Sequence, residues 1–217
     1  MINKPTIRAP LILIEGPDRS GKTMLADAIG RVGAPAIVIH GHMNNDNPVS
    51  RPNNERLMME YHARILAAAM EKRSKGMAVI LDRHWLSHMA YGAATNMLRA
   101  GALFTYRSQF EPMLNALHAF YVITVDPSCI ELSLKNPSSP YPKSRELLER
   151  ILSAYSYELR VLMSRPSPRC LAYHWSSHGA TQDKLDDFAR LVLSLAVEPP
   201  STPITDGPNG KTYPSVQ

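Results

Sequence analysis

The sequence predicts an α/β fold in which a parallel sheet is covered by helices on both faces. Five short apolar segments alternate along the chain with longer segments whose apolar residues recur at helical spacing. The short segments are uniformly apolar, which is typical of strands that are buried on both faces. Strands with one solvated face would alternate apolar and polar residues, so the pattern favours a sheet between two helical layers.

Five segments are predicted as strands. The first, Leu11–Ile14, is a continuous apolar run bounded by Pro10 and Gly16, two residues that interrupt regular structure. The other four are also short and mainly apolar, and they are Ala36–Ile39, Met77–Leu81, Phe120–Val125 and Cys170–His174. Runs of this length are shorter than ordinary helices, so strands are the better interpretation.

The intervals between the strands are predicted as helices because apolar residues recur there every three or four positions. One example is Ser144–Met163, in which Leu148, Ile151 and Leu159 fall on one side. The other predicted helices are Lys22–Arg31, Glu55–Lys75, Trp85–Ala100, Ser108–Leu117 and a last one from a Thr181 cap to about Val197. Residues 44–54 and 136–142 are rich in Asn, Pro and Ser and are predicted loops.

Length and composition favour one globular domain over residues 1–197, followed by a disordered tail. The 217 residues are 44% apolar and 20% charged, which suffices for a buried core and excludes wholesale disorder or a coiled coil. Residues 198–217 contain five prolines in twenty positions and few apolar groups. Burial in this tail cannot offset the entropy cost of ordering it.

Cysteine content and hydropathy predict a cytoplasmic protein. The two cysteines, Cys129 and Cys170, form no disulfide framework, which is typical of a reducing compartment. No apolar run approaches the roughly 20 residues that cross a bilayer, and the first residues lack the apolar stretch of a signal peptide. We therefore expect no association with a membrane.

The charge balance favours anionic partners. The chain carries 24 Lys and Arg against 19 Asp and Glu, a formal net charge of +5. The cations are scattered along the chain rather than collected in one basic arm. We therefore expect small phosphorylated ligands and no duplex nucleic acid.

Residues 16–23, Gly-Pro-Asp-Arg-Ser-Gly-Lys-Thr, fit the phosphate-binding pattern GxxxxGK[ST] between the first strand and the first helix. Gly16 and Gly21 permit backbone angles that turn successive N–H groups inward and make a nest for an anion. In this pattern Lys22 reaches the β- and γ-phosphates of a nucleotide, and the Thr23 hydroxyl binds Mg²⁺. The predicted ATP-phosphate-binding residues are Gly16, Asp18, Arg19, Ser20, Gly21, Lys22 and Thr23.

A second functional pair follows the third predicted strand. Asp82 comes directly after Met77–Leu81, where an acid holds the metal ion of a phosphate loop directly or through water. Arg83 is next, and a cation beside the metal-binding acid would face the transferred phosphate. We therefore predict a Mg²⁺ site made by Thr23 and Asp82, with ATP as the phosphate donor.

These two motifs resemble those of the thymidylate kinase family, which are nucleoside monophosphate kinases of the P-loop NTPase type. Residues 13–23 are similar to the family's apolar-E-G-x-D-x-x-G-K-[ST] motif, and residues 82–91 to its D-R-Y-x-x-S-x-x-A-Y motif. The resemblance covers about residues 10–197 in order and spacing but is dense only in these motifs. It implies a five-stranded parallel sheet with helices on both faces and a lid at about residues 136–143.

The resemblance also implies roles for single residues. The implied catalytic residues are Lys22, Arg19, Arg83 and Asp82. Arg19 matches the members that carry a catalytic arginine inside the phosphate loop, and Arg83 would bridge the donor and acceptor phosphates. The implied acceptor-binding residues are Asp18, Arg64, Arg83, Ser87 and Tyr91.

The sequence departs from the family pattern on the acceptor side. His84 stands where the family usually has Tyr, and Gly92 replaces a residue that often helps to fix the acceptor. The family's R-E-P block after the second strand is missing, and Arg64 matches the family's helical arginine only with a small gap. These departures leave thymine specificity open and phosphoryl transfer intact.

Three functions are weighed. The first is a nucleoside monophosphate kinase that transfers the γ-phosphate of ATP to a deoxynucleotide such as dTMP. The second keeps the ATP site but uses a hydroxyl acceptor, as in a deoxynucleoside or polynucleotide kinase, with Glu15 or Asp18 as the base. The third is a non-catalytic nucleotide-binding protein, although the N-K-x-D motif of a GTPase is missing from the sequence.

Two further features concern metals and partners. The pairs His84 with His88 and His40 with His42 have no third ligand at a recognisable spacing, so no zinc site is predicted. Members of the thymidylate kinase family often pair through helices. This implies that residues 95–102 and the helix before them are a candidate homodimer face.

Overall fold

The computed structural model describes residues 9–33, 35–41, 55–96, 98, 100–135, 144–166, 168–179 and 181–197. The predicted loop at 44–54, the predicted lid at 136–143 and the predicted tail at 198–217 lie outside these residues.

Five parallel strands form one sheet, as the sequence predicts. They are β1 (Leu11–Glu15), β2 (Ala36–His40), β3 (Ala78–Asp82), β4 (Phe120–Thr124) and β5 (Cys170–Tyr173). Their spatial order is β2-β3-β1-β4-β5, and every neighbouring pair is parallel. The α/β class and the five-stranded parallel sheet are therefore confirmed.

Eight helices lie in the described part of the chain. They are α1 (Lys22–Val32), α2 (Glu55–Ser74), α3 (Trp85–Ala94), α4 (Ala100–Ala116), α5 (Ser128–Leu134), α6 (Arg145–Met163), α7 (Trp175–His178) and α8 (Gln182–Ala196). The short helices α5 and α7 were not among the sequence predictions. No helix within the described ranges combines the length and apolarity that crossing a bilayer requires.

Helices cover both faces of the sheet, and successive residues of β1 point to opposite faces. Leu11 and Leu13 pack into a core with α2, α3, α4 and α6, whereas Ile12 and Ile14 pack into a core with α1 and α8. All five residues of β1 are buried, as are those of β3 and β4. Burial on both faces is the physical reason that the sequences of these strands are almost continuously apolar.

The prediction of one helix from Trp85 to Ala100 is wrong, because α3 ends at Ala94. The Thr95 hydroxyl donates to the carbonyl of Tyr91 at 2.7 Å, and Asn96 adopts a φ of 56°. A residue in this left-handed conformation cannot continue an α-helix, so the chain turns there.

The next helix begins at Ala100 rather than at the predicted Ser108. Tyr106 and Phe110 lie one helical turn apart and are both buried in the core. Burial of these two rings requires that the helix extends back beyond Ser108, so tertiary packing overrides the weak local signal.

The sheet brings the functional strand ends to one edge. Ile14 lies beside Asp82 in the register of β1 with β3, and Glu15 lies beside Ile123 in the register of β1 with β4. In open α/β sheets, ligands bind outside the carboxyl ends of the strands. The segments that follow β1, β3 and β4 therefore meet at this edge.

Candidate active site

The loop between β1 and α1 adopts backbone angles that ordinary residues avoid. Gly16 has a φ of 150°, and Gly21, which precedes the first turn of α1, has a φ of 81°. Arg19 also has a positive φ, 59°, and its side chain is exposed at the loop tip. These angles wrap the loop around the start of α1, where backbone N–H groups and the helix dipole favour an anion.

Lys22 is folded back over its own loop. Its ammonium group donates to the carbonyl of Pro17 and lies 3.3 Å from the hydroxyl of Ser20. Burial, together with the nearby Arg83, lowers the pKa of Lys22 to about 7. A phosphate bound beside the ammonium group would favour its charged form, because an opposite charge stabilises it.

Thr23 in the first turn of α1 lies beside Asp82 at the end of β3. The Thr23 hydroxyl donates to Asp82 Oδ2 at 2.9 Å, and His40 Nδ1 lies 3.1 Å from the same oxygen. Asp82 is fully buried, and its Oδ1 has no hydrogen-bond partner within the described residues.

This pair fits a magnesium ion. Mg²⁺ takes oxygen ligands and is usually held by one or two carboxylates together with the phosphates of a nucleotide. The unpartnered Oδ1 of Asp82 and the hydroxyl of Thr23 are ligands of this kind. A buried carboxylate oxygen without a partner is costly, and a cation would remove that cost.

Arg83 connects the phosphate loop to α3. Its guanidinium donates to the carbonyl of Gly16 at 3.1 Å, to the hydroxyl of Ser87 at 3.3 Å and to the carboxylate of Asp18. The guanidinium also lies over the ring of Tyr91, 5.5 Å from its centroid. Arg83 has a φ of 75°, a strained conformation that occurs mainly where the surrounding structure enforces it, often at functional sites.

Tyr91 and Asp18 complete this group. The hydroxyl of Tyr91 accepts the backbone N–H of Asp18 at 2.9 Å, and burial raises the pKa of Tyr91 to about 12. The structure therefore brings four of the five predicted acceptor-binding residues into one cluster, and these are Asp18, Arg83, Ser87 and Tyr91.

Within the described residues, no hydrogen bond or ion pair links Arg64 to this cluster. Arg64 lies on α2, two residues from both His62 and Leu66, which point into the core. Its own side chain is exposed to solvent.

Glu15 is a buried carboxyl at the base of the site. Its Oε1 accepts the backbone N–H of His84 at 2.9 Å, and its Oε2 accepts the hydroxyl of Ser87 at 2.5 Å. Tyr155 on α6 in turn donates to Ser87 at 2.8 Å. Burial raises the pKa of Glu15 to about 7. The sequence does not predict the contact of Tyr155 with Ser87, since the two residues are distant along the chain.

Three histidines meet behind the site, between α2, α3 and α4. The ring of His62 lies 4.8 Å from that of His84 and 6.0 Å from that of His88. Burial lowers the pKa of His84 and of His88 to about 4, so both rings are neutral near pH 7. The described residues hold no group of three side chains arranged to bind a metal ion.

The sheet order and the site together define a P-loop kinase fold. The phosphate loop follows the central strand β1, and the buried acid Asp82 follows the neighbouring strand β3. A second cation, Arg83, stands between the phosphate loop and α3.

Solved structures of nucleotide and nucleoside kinases share this fold. Thymidylate kinase from Candida albicans aligns over 87% of this chain and 92% of its own, with a TM-score of 0.59 and 16% identity. The YorR protein from Bacillus subtilis, in complex with phosphorylated GDP, aligns over 85% and 96%, with a TM-score of 0.54 and 20% identity. Deoxyadenosine kinase from M. mycoides, with bound dCTP, aligns over 84% and 98%, with a TM-score of 0.53 and 13% identity.

At the level of sequence, neither a family model nor a curated protein matches the chain. The likeness to the solved structures is therefore one of fold, which this chain shares with a thymidylate kinase and a deoxyadenosine kinase.

Proposed function

We propose that this protein is a nucleoside monophosphate kinase that transfers the γ-phosphate of ATP to a deoxynucleotide such as dTMP. The observation that carries the proposal is the position of Arg83. Its guanidinium contacts the phosphate loop at Gly16 and the acceptor-side residues Asp18 and Ser87. A cation at this point can contact a donor phosphate and an acceptor phosphate at the same time.

Phosphoryl transfer requires mainly that the protein positions the two substrates and supplies positive charge. In phosphoryl transfer, charge spreads over the equatorial oxygens of the transferred group, and cations on several sides stabilise it. Lys22, Arg19 and Arg83 would supply that charge. Thr23 and Asp82 would hold Mg²⁺, which neutralises the β- and γ-phosphates when it is bound.

A phosphate acceptor needs no strong base, which suits the carboxylates of this site. Glu15 is fully buried, and both of its oxygens already accept hydrogen bonds, so it cannot take a proton from a substrate in the cleft. Asp18 is ion-paired with Arg83. An acceptor phosphate is already anionic and nucleophilic, so it can react without proton removal.

A deoxynucleoside kinase is the second candidate. The fold is shared with a deoxyadenosine kinase, and the carboxylate of Asp18 is partly exposed at the mouth of the site, where it could accept a hydroxyl proton. A nucleoside acceptor carries no phosphate, so Arg83 could contact only the donor phosphates.

An acceptor panel tests the proposal. The purified protein is mixed with ATP, Mg²⁺ and, separately, each deoxynucleoside and each deoxynucleoside monophosphate, and ADP release is measured. We expect turnover with at least one monophosphate and none above background with nucleosides. Turnover with nucleosides alone would establish the second candidate.

Two controls separate the remaining outcomes. Omission of Mg²⁺ should abolish turnover if Thr23 and Asp82 hold the metal. Binding of Mg-ATP without turnover on any acceptor, nucleic-acid ends included, would indicate a non-catalytic nucleotide-binding protein.

The lid at 136–143 and the homodimer face at 95–102 belong to the same proposal. Analytical ultracentrifugation of the full chain checks the dimer.

A further inference from the structure

The two glycines of the phosphate loop are each approached closely by a residue outside the motif. A Cβ atom on Gly16 would overlap the hydroxyl of Thr124 at the end of β4. A Cβ atom on Gly21 would lie 2.6 Å from Cε3 of Trp175 at the start of α7. The loop is therefore held between the ends of β4 and β5 as well as by its own backbone angles.

The two flanking residues belong to segments that Asp126 joins. One carboxylate oxygen of Asp126 accepts the backbone N–H of Ser128 at 2.9 Å, and the other accepts that of Ser176 at 2.7 Å. These N–H donors outweigh burial and lower the pKa of Asp126 to about 2. Asp126 follows Thr124 by two residues and Ser176 follows Trp175 directly, so this carboxylate ties the two sides of the loop together.

Trp175 is half-buried, and the edge of its ring that approaches Gly21 is also approached by Gly179. A Cβ atom on Gly179 would lie 2.0 Å from the same atom, Cε3, and 2.6 Å from the hydroxyl of Tyr173. The same corner is packed by Tyr173, whose ring stacks on His178 with centroids 5.7 Å apart. His178 stacks in turn on Phe188 of α8 at 4.6 Å. The indole edge that contacts Gly21 therefore borders Gly179 and this aromatic corner as well.

We propose that Trp175 is a positioning residue for the phosphate donor, and that Asp126 holds it in place. Gly21 directly precedes Lys22 and the first turn of α1, so a shift of Gly21 displaces the ammonium group and the N–H groups that face a phosphate. This inference rests on the proposed function only in requiring that the loop binds Mg-ATP. It adds a contact from outside the motif that sets the geometry of the loop.

Gly179→Ala tests the proposal without altering the loop or the indole. Gly179 has a φ of −106°, which alanine can adopt, so the new methyl group acts through space: it displaces the indole edge that contacts Gly21 and the nearby hydroxyl of Tyr173. We expect the dissociation constant for Mg-ATP, measured by titration calorimetry, to rise roughly tenfold to a hundredfold, the scale for a misplaced group. The KM for ATP should rise in parallel, while the KM for the acceptor stays near the wild-type value.

A second-site variant separates positioning from general damage. Trp175→Phe combined with Gly179→Ala gives the methyl group room while keeping an aromatic ring against Gly21, and should restore most of the affinity. Gly30→Ala is the matched control, since a Cβ atom there would lie 3.4 Å from Cγ2 of Val38, an ordinary van der Waals contact. It should leave the affinity unchanged.

Wild-type affinity in the Gly179→Ala protein would overturn the proposal, and so would failure of the double variant to recover. If Gly179→Ala does not fold, as judged by thermal melting, Trp175→Ala takes its place and should weaken Mg-ATP binding. Unchanged binding in that protein would also overturn the proposal. If the wild-type protein gives no heat with Mg-ATP, the proposed function falls together with this inference. Mg-ATP binding that is normal in the wild-type protein and weakened in Gly179→Ala or Trp175→Ala supports both the proposed function and this inference.

Discussion

The donor half and the acceptor half of the site are built in different ways. The donor half is a loop of eight consecutive residues, 16–23, held between strand ends. The acceptor half combines Asp18 of the loop with Arg83 after β3 and with Ser87 and Tyr91 of α3, and a fourth element, α6, reaches it through Tyr155. The residues of the donor half are therefore consecutive in the sequence, whereas those of the acceptor half come from separate elements.

The electrostatics of the two halves differ in the same sense. On the donor side Lys22 is buried and its pKa is lowered to about 7, so a bound anion would stabilise the charged form of this lysine. On the acceptor side Arg83 is already paired with Asp18 and shielded by the ring of Tyr91. A phosphate that arrives at the donor side gains a charge partner, whereas one that arrives at the acceptor side must compete with an existing ion pair.

The largest effect is expected at Lys22. Lys22→Ala removes the cation that is proposed to contact the β- and γ-phosphates, and we expect turnover to fall at least about a hundredfold, as for loss of other transition-state donors. ADP release in the acceptor panel measures it. Lys75→Ala, which removes an exposed lysine paired with Glu71, is the matched control. A loss smaller than tenfold would contradict a catalytic role for the loop.

A smaller and more selective effect is expected at Arg83. Lysine cannot reproduce the planar fork that contacts Gly16 and Asp18 together, so Arg83→Lys should lower kcat/KM for the acceptor by roughly tenfold or more. Binding of Mg-ATP should change much less. Arg190→Lys, on the exposed face of α8, controls for the exchange itself. Equal losses in ATP affinity and acceptor kcat/KM would erase the proposed division between the two halves.

Glu15 should reveal itself through the pH dependence of stability. The pKa of this carboxyl is about 7 in the folded protein against an ordinary 4.5, because burial disfavours its charged form. The folded state therefore binds the proton more tightly than the unfolded state. The stability that this group contributes is fully present below pH 4.5 and is lost as the pH rises through 7.

Glu15→Gln mimics the protonated carboxyl and removes this pH dependence. The free energy of unfolding of the variant, measured relative to wild type by urea denaturation, should increase between pH 4.5 and 7 by up to about 1.4 kcal/mol per pH unit. Glu149→Gln, on the exposed face of α6, is the control. A difference that does not vary with pH would show that Glu15 is charged throughout this range.

The smallest effect is expected at Arg64. Because its side chain is exposed, Arg64→Ala should change the free energy of unfolding by no more than about 0.5 kcal/mol. If the resemblance to thymidylate kinases extends to this residue, the KM for the acceptor rises and the KM for ATP does not. Arg56→Ala, exposed on the same helix, is the matched control. An unchanged acceptor KM would remove Arg64 from the acceptor site.

The sequence predicts those parts of the fold that depend on nearby residues. All five strands and the phosphate loop were found because a buried parallel strand and a GxxxxGK[ST] turn each leave a local pattern. The start of α4 was missed because burial of Tyr106 and Phe110, rather than local propensity, extends the helix. Helix α5 did leave a signal in the sequence, namely an aspartate, Asp126, just before the helix. The carboxylate of Asp126 accepts the N–H of Ser128, the first residue of α5.

The unpredicted parts of the site are contacts between distant residues. Glu15, Ser87 and Tyr155 form one hydrogen-bonded chain although they lie on β1, α3 and α6. Trp175 meets Gly21 across a similar separation. No periodicity or spacing in a single sequence encodes such pairs, since each residue alone is compatible with an ordinary core position.

The adjacency of Asp82 and Arg83 has a consequence for how the two substrates are aligned. Asp82 contacts Thr23 of the predicted metal site, and Arg83 contacts Asp18 of the proposed acceptor site. The N–H of Arg83 is hydrogen-bonded to the carbonyl of Ile14 at 3.0 Å. The two backbone positions are thus set by a peptide bond, about 3.8 Å from one Cα to the next, rather than by the docking of separate elements. Since Asp82 belongs to β3 and Arg83 is hydrogen-bonded to β1, a movement of α3 against the sheet would leave this backbone arrangement unchanged.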